Sequence, residues 1–189
     1  MAVTLSSFQM GQGDQAPDFI LPDTSGALHS RSEIAGKNGL LIVFACNHCP
    51  FVIHLAKQLG SFAREIADLG VKTVAINSND FVSYPEDAPD RMKAFSAENG
   101  WEFPYLVDES QQIAKAYKAT CTPDFFLFDG NSALFYAGQF DGSRPGSGHD
   151  ANGADLRESV RKMLGQERPL ARPYPSSGCN IKWKSGAIS

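Results

Sequence analysis

A chain of 189 residues, 42% hydrophobic and 20% charged, is the size of one domain with a full core. Its 17 basic and 21 acidic residues give a net charge of -4 without a polybasic run, which argues against nucleic-acid and anionic-membrane partners. No window nears the roughly 18 apolar residues of a membrane span, the N-terminus shows no basic-then-apolar leader, and four cysteines are too few for a secreted disulfide scaffold, so a cytoplasmic location is expected.

In chain order, "APDFILPDTSGALHS" alternates Phe19 and Leu21 with polar positions around the turn residues 23–26, which predicts a β-hairpin. The unbroken apolar run 39–46, rich in β-branched and aromatic residues, reads as a central strand. From Pro50, apolar residues Val52, Leu55, Leu59, Phe62, Ile66 and Leu69 recur at three- and four-residue steps, a helix stripe closed by Gly70. There follow a strand at 71–77, a helix at 87–100, a strand at 104–108 and a helix at 110–119 with Ser110 as its cap. Segments 124–129 and 133–141, parted by Gly130 and Asn131, predict a second hairpin, and 153–164 a last helix. Strands alternating with helices imply an α/β fold with a largely parallel sheet, to which the late hairpin adds an antiparallel edge. A Gly-rich loop spans 142–153, and the proline-bearing tail runs extended over the surface. The division is residues 1–165 as one domain and 166–189 as a C-terminal extension packing on it.

The chemistry concentrates in "FACNHCPFV", residues 44–52. Cys46 and Cys49 are a redox pair, part of a metal site, or two inert core thiols. A strand ending at C-x-x-C with a helix beginning behind it favours redox use, because the unpaired N–H groups and positive dipole end of the helix stabilise a thiolate. On this reading Cys46 attacks a substrate disulfide and Cys49 resolves the mixed disulfide. His48 tunes the pair when protonated; Asn47 adds no charge.

These residues resemble the active site of the thioredoxin superfamily, and "APDFILPDTSG" resembles the opening of its alkyl hydroperoxide reductase/thiol-specific antioxidant branch. In "TCTPDFFLFD", Thr122-Pro123 matches the superfamily's cis-proline, which lies against the cysteines and shapes the substrate groove. With the C-terminal "PSSGCNIKWK", the likeness to peroxiredoxin-like thioredoxin-family proteins spans about residues 13 to 184. It implies a thioredoxin-like fold with a mixed central sheet flanked by helices, and dithiol-disulfide exchange with a protein or small-thiol partner recharged by an external thiol reductant. Asn47, Thr122 and Pro123 would then touch the substrate, a chain added to the sheet edge. The P-x-x-x-T-x-x-C loop of peroxiredoxins is absent, and Pro123 stands near the place of their arginine. A divergent antioxidant peroxidase is therefore the alternative rather than the first reading.

The resemblance brings Cys121 near the pair as a second resolving thiol, as a third metal ligand with Cys46 and Cys49, or as a plain buried turn residue. The metal-binding or interaction module built on Cys46, Cys49 and Cys121 is the reading from a different class; no metal and no organic cofactor is expected. Cys179 forms a disulfide on oxidation or packs beside Ile181 and Trp183, packing being favoured. Arg144 is a loop cation that faces the site or the solvent, and Asp18 and Asp108 are turn and strand-end acids. Edge strands leave room for a homodimer.

Overall fold

The computed structural model describes residues 3–185. The chain runs β1 (Thr4–Leu5), β2 (Ile20–Pro22), β3 (Leu28–Ser30), α1 (Arg31–Ile34), β4 (Gly39–Phe44), α2 (Pro50–Asp68), β5 (Val71–Asn77), α3 (Pro89–Glu98), β6 (Tyr105–Val107), α4 (Gln112–Ala116), β7 (Cys121–Thr122), β8 (Asp124–Asp129), β9 (Leu134–Gly138), α5 (Ala154–Leu164) and β10 (Ser177–Asn180). It is a thioredoxin-like α/β arrangement with a mixed sheet.

All six residues of β4 are buried, as expected for a strand with no polar position. Its alternation divides the core. Leu41 and Val43 face α2 and α5, packing with Leu59, Phe62, Leu156 and Val160, while Leu40, Ile42 and Phe44 face the layer of Ala114, Tyr117 and Phe19. Each fully buried side chain of this kind contributes about 1.5–3 kcal/mol.

The sheet departs from the largely parallel expectation. β4 pairs antiparallel with β8, and β8 with β9, so the late hairpin lies beside the central strand instead of at an edge. β5 and β6 form a parallel ladder. β5 lies along the other side of β4, joined by the Ala45 N–H donating to the Ile76 carbonyl at 3.0 Å. The first hairpin pairs Ile20 with Ser30, as the turn residues predicted. The N-cap residue of α4 is Gln111, in a left-handed conformation, one place after Ser110; the Ser110 hydroxyl still accepts from the first N–H of the helix, that of Gln112, at 3.3 Å and donates to Asp108.

The segment after α5 does not simply cross the surface. β10 inserts between β1 and β7, pairing antiparallel with both, with Cys179 opposite Thr122 and Asn180 opposite Cys121. Hydrogen bonds hold both ends: Ser6 N–H to the Ser176 carbonyl at 2.9 Å, Lys182 N–H to Asn79 Oδ1 at 2.9 Å, and Asp80 N–H to the Lys182 carbonyl at 2.8 Å.

The close seat requires Gly178, where a Cβ would stand 2.0 Å from the Thr122 carbonyl oxygen. Gly178→Ala should therefore lift β10 from β7, cost about 1–3 kcal/mol, lower the melting temperature and speed alkylation of Cys49. An unchanged melt with unchanged thiol reactivity would contradict this seating. Next to the same ladder, Asp124 is 1% exposed, and burial raises its carboxyl to about 7. The folded chain then holds a proton that the unfolded chain loses above 3.8, so stability falls as pH rises from about 4 to 7. Asp124→Asn should remove that slope, worth up to roughly 4 kcal/mol, in denaturant titrations across this range; a parallel pH dependence in both chains would refute the assignment.

Candidate functional site

β4 delivers the chain to the C-x-x-C loop, and α2 begins directly after it. Pro50 occupies the first helical turn, where its missing N–H costs no hydrogen bond, and Cys49 is the N-cap residue. Val52 and Ile53 N–H groups both donate to the Cys49 carbonyl at 3.0 Å. The sulfur nearest the helix start thus belongs to the second cysteine.

None of the four cysteines is in a disulfide, and all are buried: Cys46, Cys49 and Cys121 at 0% exposure and Cys179 at 2%. Thr122, joined to Pro123 by a cis peptide bond, organises them. Its Oγ1 lies 3.2 Å from Cys46 Sγ, its carbonyl oxygen 3.1 Å from Cys49 Sγ, and its backbone pairs in register with Cys179. Cys179 Sγ reaches to 2.9 Å from Cys49 Sγ. Cys121 is not part of this group. It is the neighbour of Thr122 on a two-residue strand, so its side chain takes the other face, and its thiol donates to the Pro123 carbonyl at 3.5 Å.

Cys49 is the sulfur on which the donors converge. Its titration is pulled down first by the Cys46 S–H, with the Cys179 thiol and the Val52 and Cys179 N–H groups adding, against burial. The Thr122 carbonyl opposes a charge there, but one acceptor is outweighed by several donors at a helix N-terminus. Cys46 is held up by its bond to Cys49, by burial and by the Asp87 carboxylate. Cys179 is raised to about 12, first by burial and then by its own bond to Cys49. In the closed, reduced state the surroundings therefore favour a thiolate at Cys49 over one at Cys46, where the sequence suggested it, first through the Cys46 S–H and then through the Cys179 thiol.

His48 lies beside an acid that the sequence reading passed over as a helix start. Asp87 is fully buried in a short 3-10 turn, Pro85–Asp87, under the C-x-x-C loop. It accepts from the Asn47 N–H at 2.8 Å and from Asn79 Nδ2 at 2.7 Å, and pairs with His48 Nδ1 at 2.9 Å. Through this contact Asp87 raises the His48 pKa above its ordinary value. The signal available was positional: the loops after adjacent parallel strands β4 and β5 open at the same end of a sheet. Cys46, His48 and Asp87 offer donor atoms within 4.8 Å of one another, whereas the grouping of Cys46, Cys49 and Cys121 as ligands does not occur among the described residues.

Asn47 is a brace, donating to the Glu86 carbonyl at 2.9 Å and accepting from the Tyr105 hydroxyl at 3.1 Å. Arg144 is tied to Gln139 Oε1 at 2.5 Å and to Ser177 Oγ at 3.4 Å, linking the Gly-rich loop to the start of β10. Asp18 bonds Arg31 at the surface, and Asp108 receives Ser78 and the Ala114 N–H at the start of α4.

Comparison with known proteins agrees with this geometry. The thiol-disulfide oxidoreductase ResA of Geobacillus kaustophilus (strain HTA426) is 29% identical over 124 residues, covering 65% of this chain and, at 66%, just under two thirds of that relative's length. Similarity to two solved structures runs nearly end to end. An uncharacterized conserved protein from Geobacillus kaustophilus matches with a TM-score of 0.94 at 41% identity, covering 99% of each chain. A hypothetical protein from Sinorhizobium meliloti 1021 matches with a TM-score of 0.93 at 46% identity, covering 97% of this chain and 100% of the other. Residues 12–137, which hold the cysteine pair, Asp87 and Thr122-Pro123, match the AhpC/TSA family, and the chain belongs to that family.

Proposed function

We propose that the chain is a thiol-disulfide oxidoreductase in which Cys46 and Cys49 alternate between dithiol and disulfide. The observation that carries the reading is the pair itself: two thiols at a strand-to-helix junction, both set against Thr122 and the cis proline, Cys46 Sγ 3.2 Å from the Thr122 hydroxyl and Cys49 Sγ 3.1 Å from its carbonyl oxygen. Cys46, on the loop, attacks a sulfur of the substrate disulfide while its proton passes along the S–H···S contact to Cys49. One substrate sulfur leaves as thiolate. Cys49 then loses that proton and attacks Cys46 Sγ, the mixed disulfide breaks, and the second substrate sulfur departs. Two electrons and the one proton of the thiol–thiolate pair have left the protein, and an external thiol reductant restores them. Asp87 raises the His48 pKa, and an imidazolium beside the loop favours the thiolate form of the pair.

The substrate is a protein or small-molecule disulfide. With β10 seated, Cys46 and Cys49 are shut from solvent, so turnover passes through an opening of the segments over them. Reduction of a disulfide-bonded peptide, driven by a dithiol donor, tests the reading. Cys46→Ser and Cys49→Ser should each lower turnover by about a thousandfold or more, and Cys121→Ala should retain it. Turnover surviving in either serine variant would overturn the dithiol mechanism.

A further inference from the structure

A buried cysteine packing as a small hydrophobe has no need to meet another sulfur. Cys179 nevertheless lies 2.9 Å from Cys49 Sγ, within about 0.9 Å of the 2.03–2.05 Å of a bonded pair. Its strand is set by the β7 ladder, by the close approach at Gly178 and by hydrogen bonds beyond both ends. The sulfur is thus presented by a fixed element rather than by a wandering tail. The edge beside Pro123, where the sequence reading placed a substrate chain, is filled by the protein's own strand. Cys49 shares Thr122 with Cys46 on one side and meets Cys179 Sγ on the other.

We infer that Cys179 is a third redox thiol of the site and that Cys49 exchanges its disulfide between Cys46 and Cys179. The inference rests on the exchange reading and adds an internal partner to it. After the Cys46–Cys49 bond has formed, the Cys179 thiolate attacks Cys49 Sγ. The Cys49–Cys179 bond forms as the Cys46–Cys49 bond breaks, and Cys46 leaves with the electron pair and takes up the proton that Cys179 released. The number of disulfides is unchanged, so the step needs no outside oxidant. Its product has β10 bonded to the N-cap of α2 and a reduced Cys46.

The test is disulfide mapping on the full chain equilibrated with oxidised glutathione, quenched in acid, alkylated, digested and read by mass spectrometry. The wild-type chain should yield both Cys46–Cys49 and Cys49–Cys179 linked peptides. Cys46→Ser, and Cys46→Ala as a second check on folding, should form the Cys49–Cys179 bond within one chain, and Cys179→Ser should retain only Cys46–Cys49. If the Cys46 variants stay as thiols or glutathione adducts while Cys179→Ser forms Cys46–Cys49, the third-thiol role is overturned and the exchange reading stands. If Cys49–Cys179 forms but Cys46–Cys49 does not, the exchange reading falls and Cys179 is the partner of Cys49. If neither bond forms, both are overturned.

Discussion

The arrangement depends on the backbone of Thr122. Three elements distant in sequence meet on this residue: the C-x-x-C loop through Cys46 and its hydroxyl, the start of α2 through Cys49 and its carbonyl, and β10 through the ladder to Cys179. The cis linkage to Pro123 belongs to the same turn. β8 begins immediately afterwards and is paired along its whole length with β4, the strand that delivers the cysteines. Both walls of the site are therefore parts of one antiparallel ladder, and their spacing is set by the core.

The electrostatics follow from what the ladder buries. Four thiols out of water cannot all be ionised, and the one favoured is where donors converge. Asp87, also buried, is compensated by the Asn47 and Asn79 N–H groups and by His48; hydrogen bonds to a charged group are worth roughly 1.5–3 kcal/mol each. This acid fixes the loop that carries Asn47 and His48 and holds up the Cys46 titration. A helix N-terminus on one side and a buried carboxylate on the other thus distinguish two cysteines only three residues apart.

Local pattern made much of this legible. The apolar run of β4, the stripe of α2 and the paired runs of both hairpins follow from side-chain periods of 2 and 3.6 residues, and the structure has all of them. The place of the cysteine pair was legible for the same reason, since a strand-to-helix junction is a change of period. Two kinds of information were not local. Which strand lies beside β4 is decided by tertiary packing, so the late hairpin was expected at an edge and stands beside the centre. The seat of Cys179 depends on a pairing across more than fifty residues, which leaves no periodic mark. The side on which Cys121 falls was hidden too, because a strand of two residues is too short to show alternation.

The claim that the site cycles between dithiol and disulfide is tested most directly by the reduction potential of Cys46 and Cys49. In a Cys179→Ser background the chain would be equilibrated across a glutathione buffer series and its remaining thiols trapped for mass spectrometry. The account predicts one reversible two-electron transition between about -270 and -120 mV, the span of thioredoxin-like exchange pairs. A chain that passes only to single glutathione adducts, with no reversible Cys46–Cys49 bond, would contradict it.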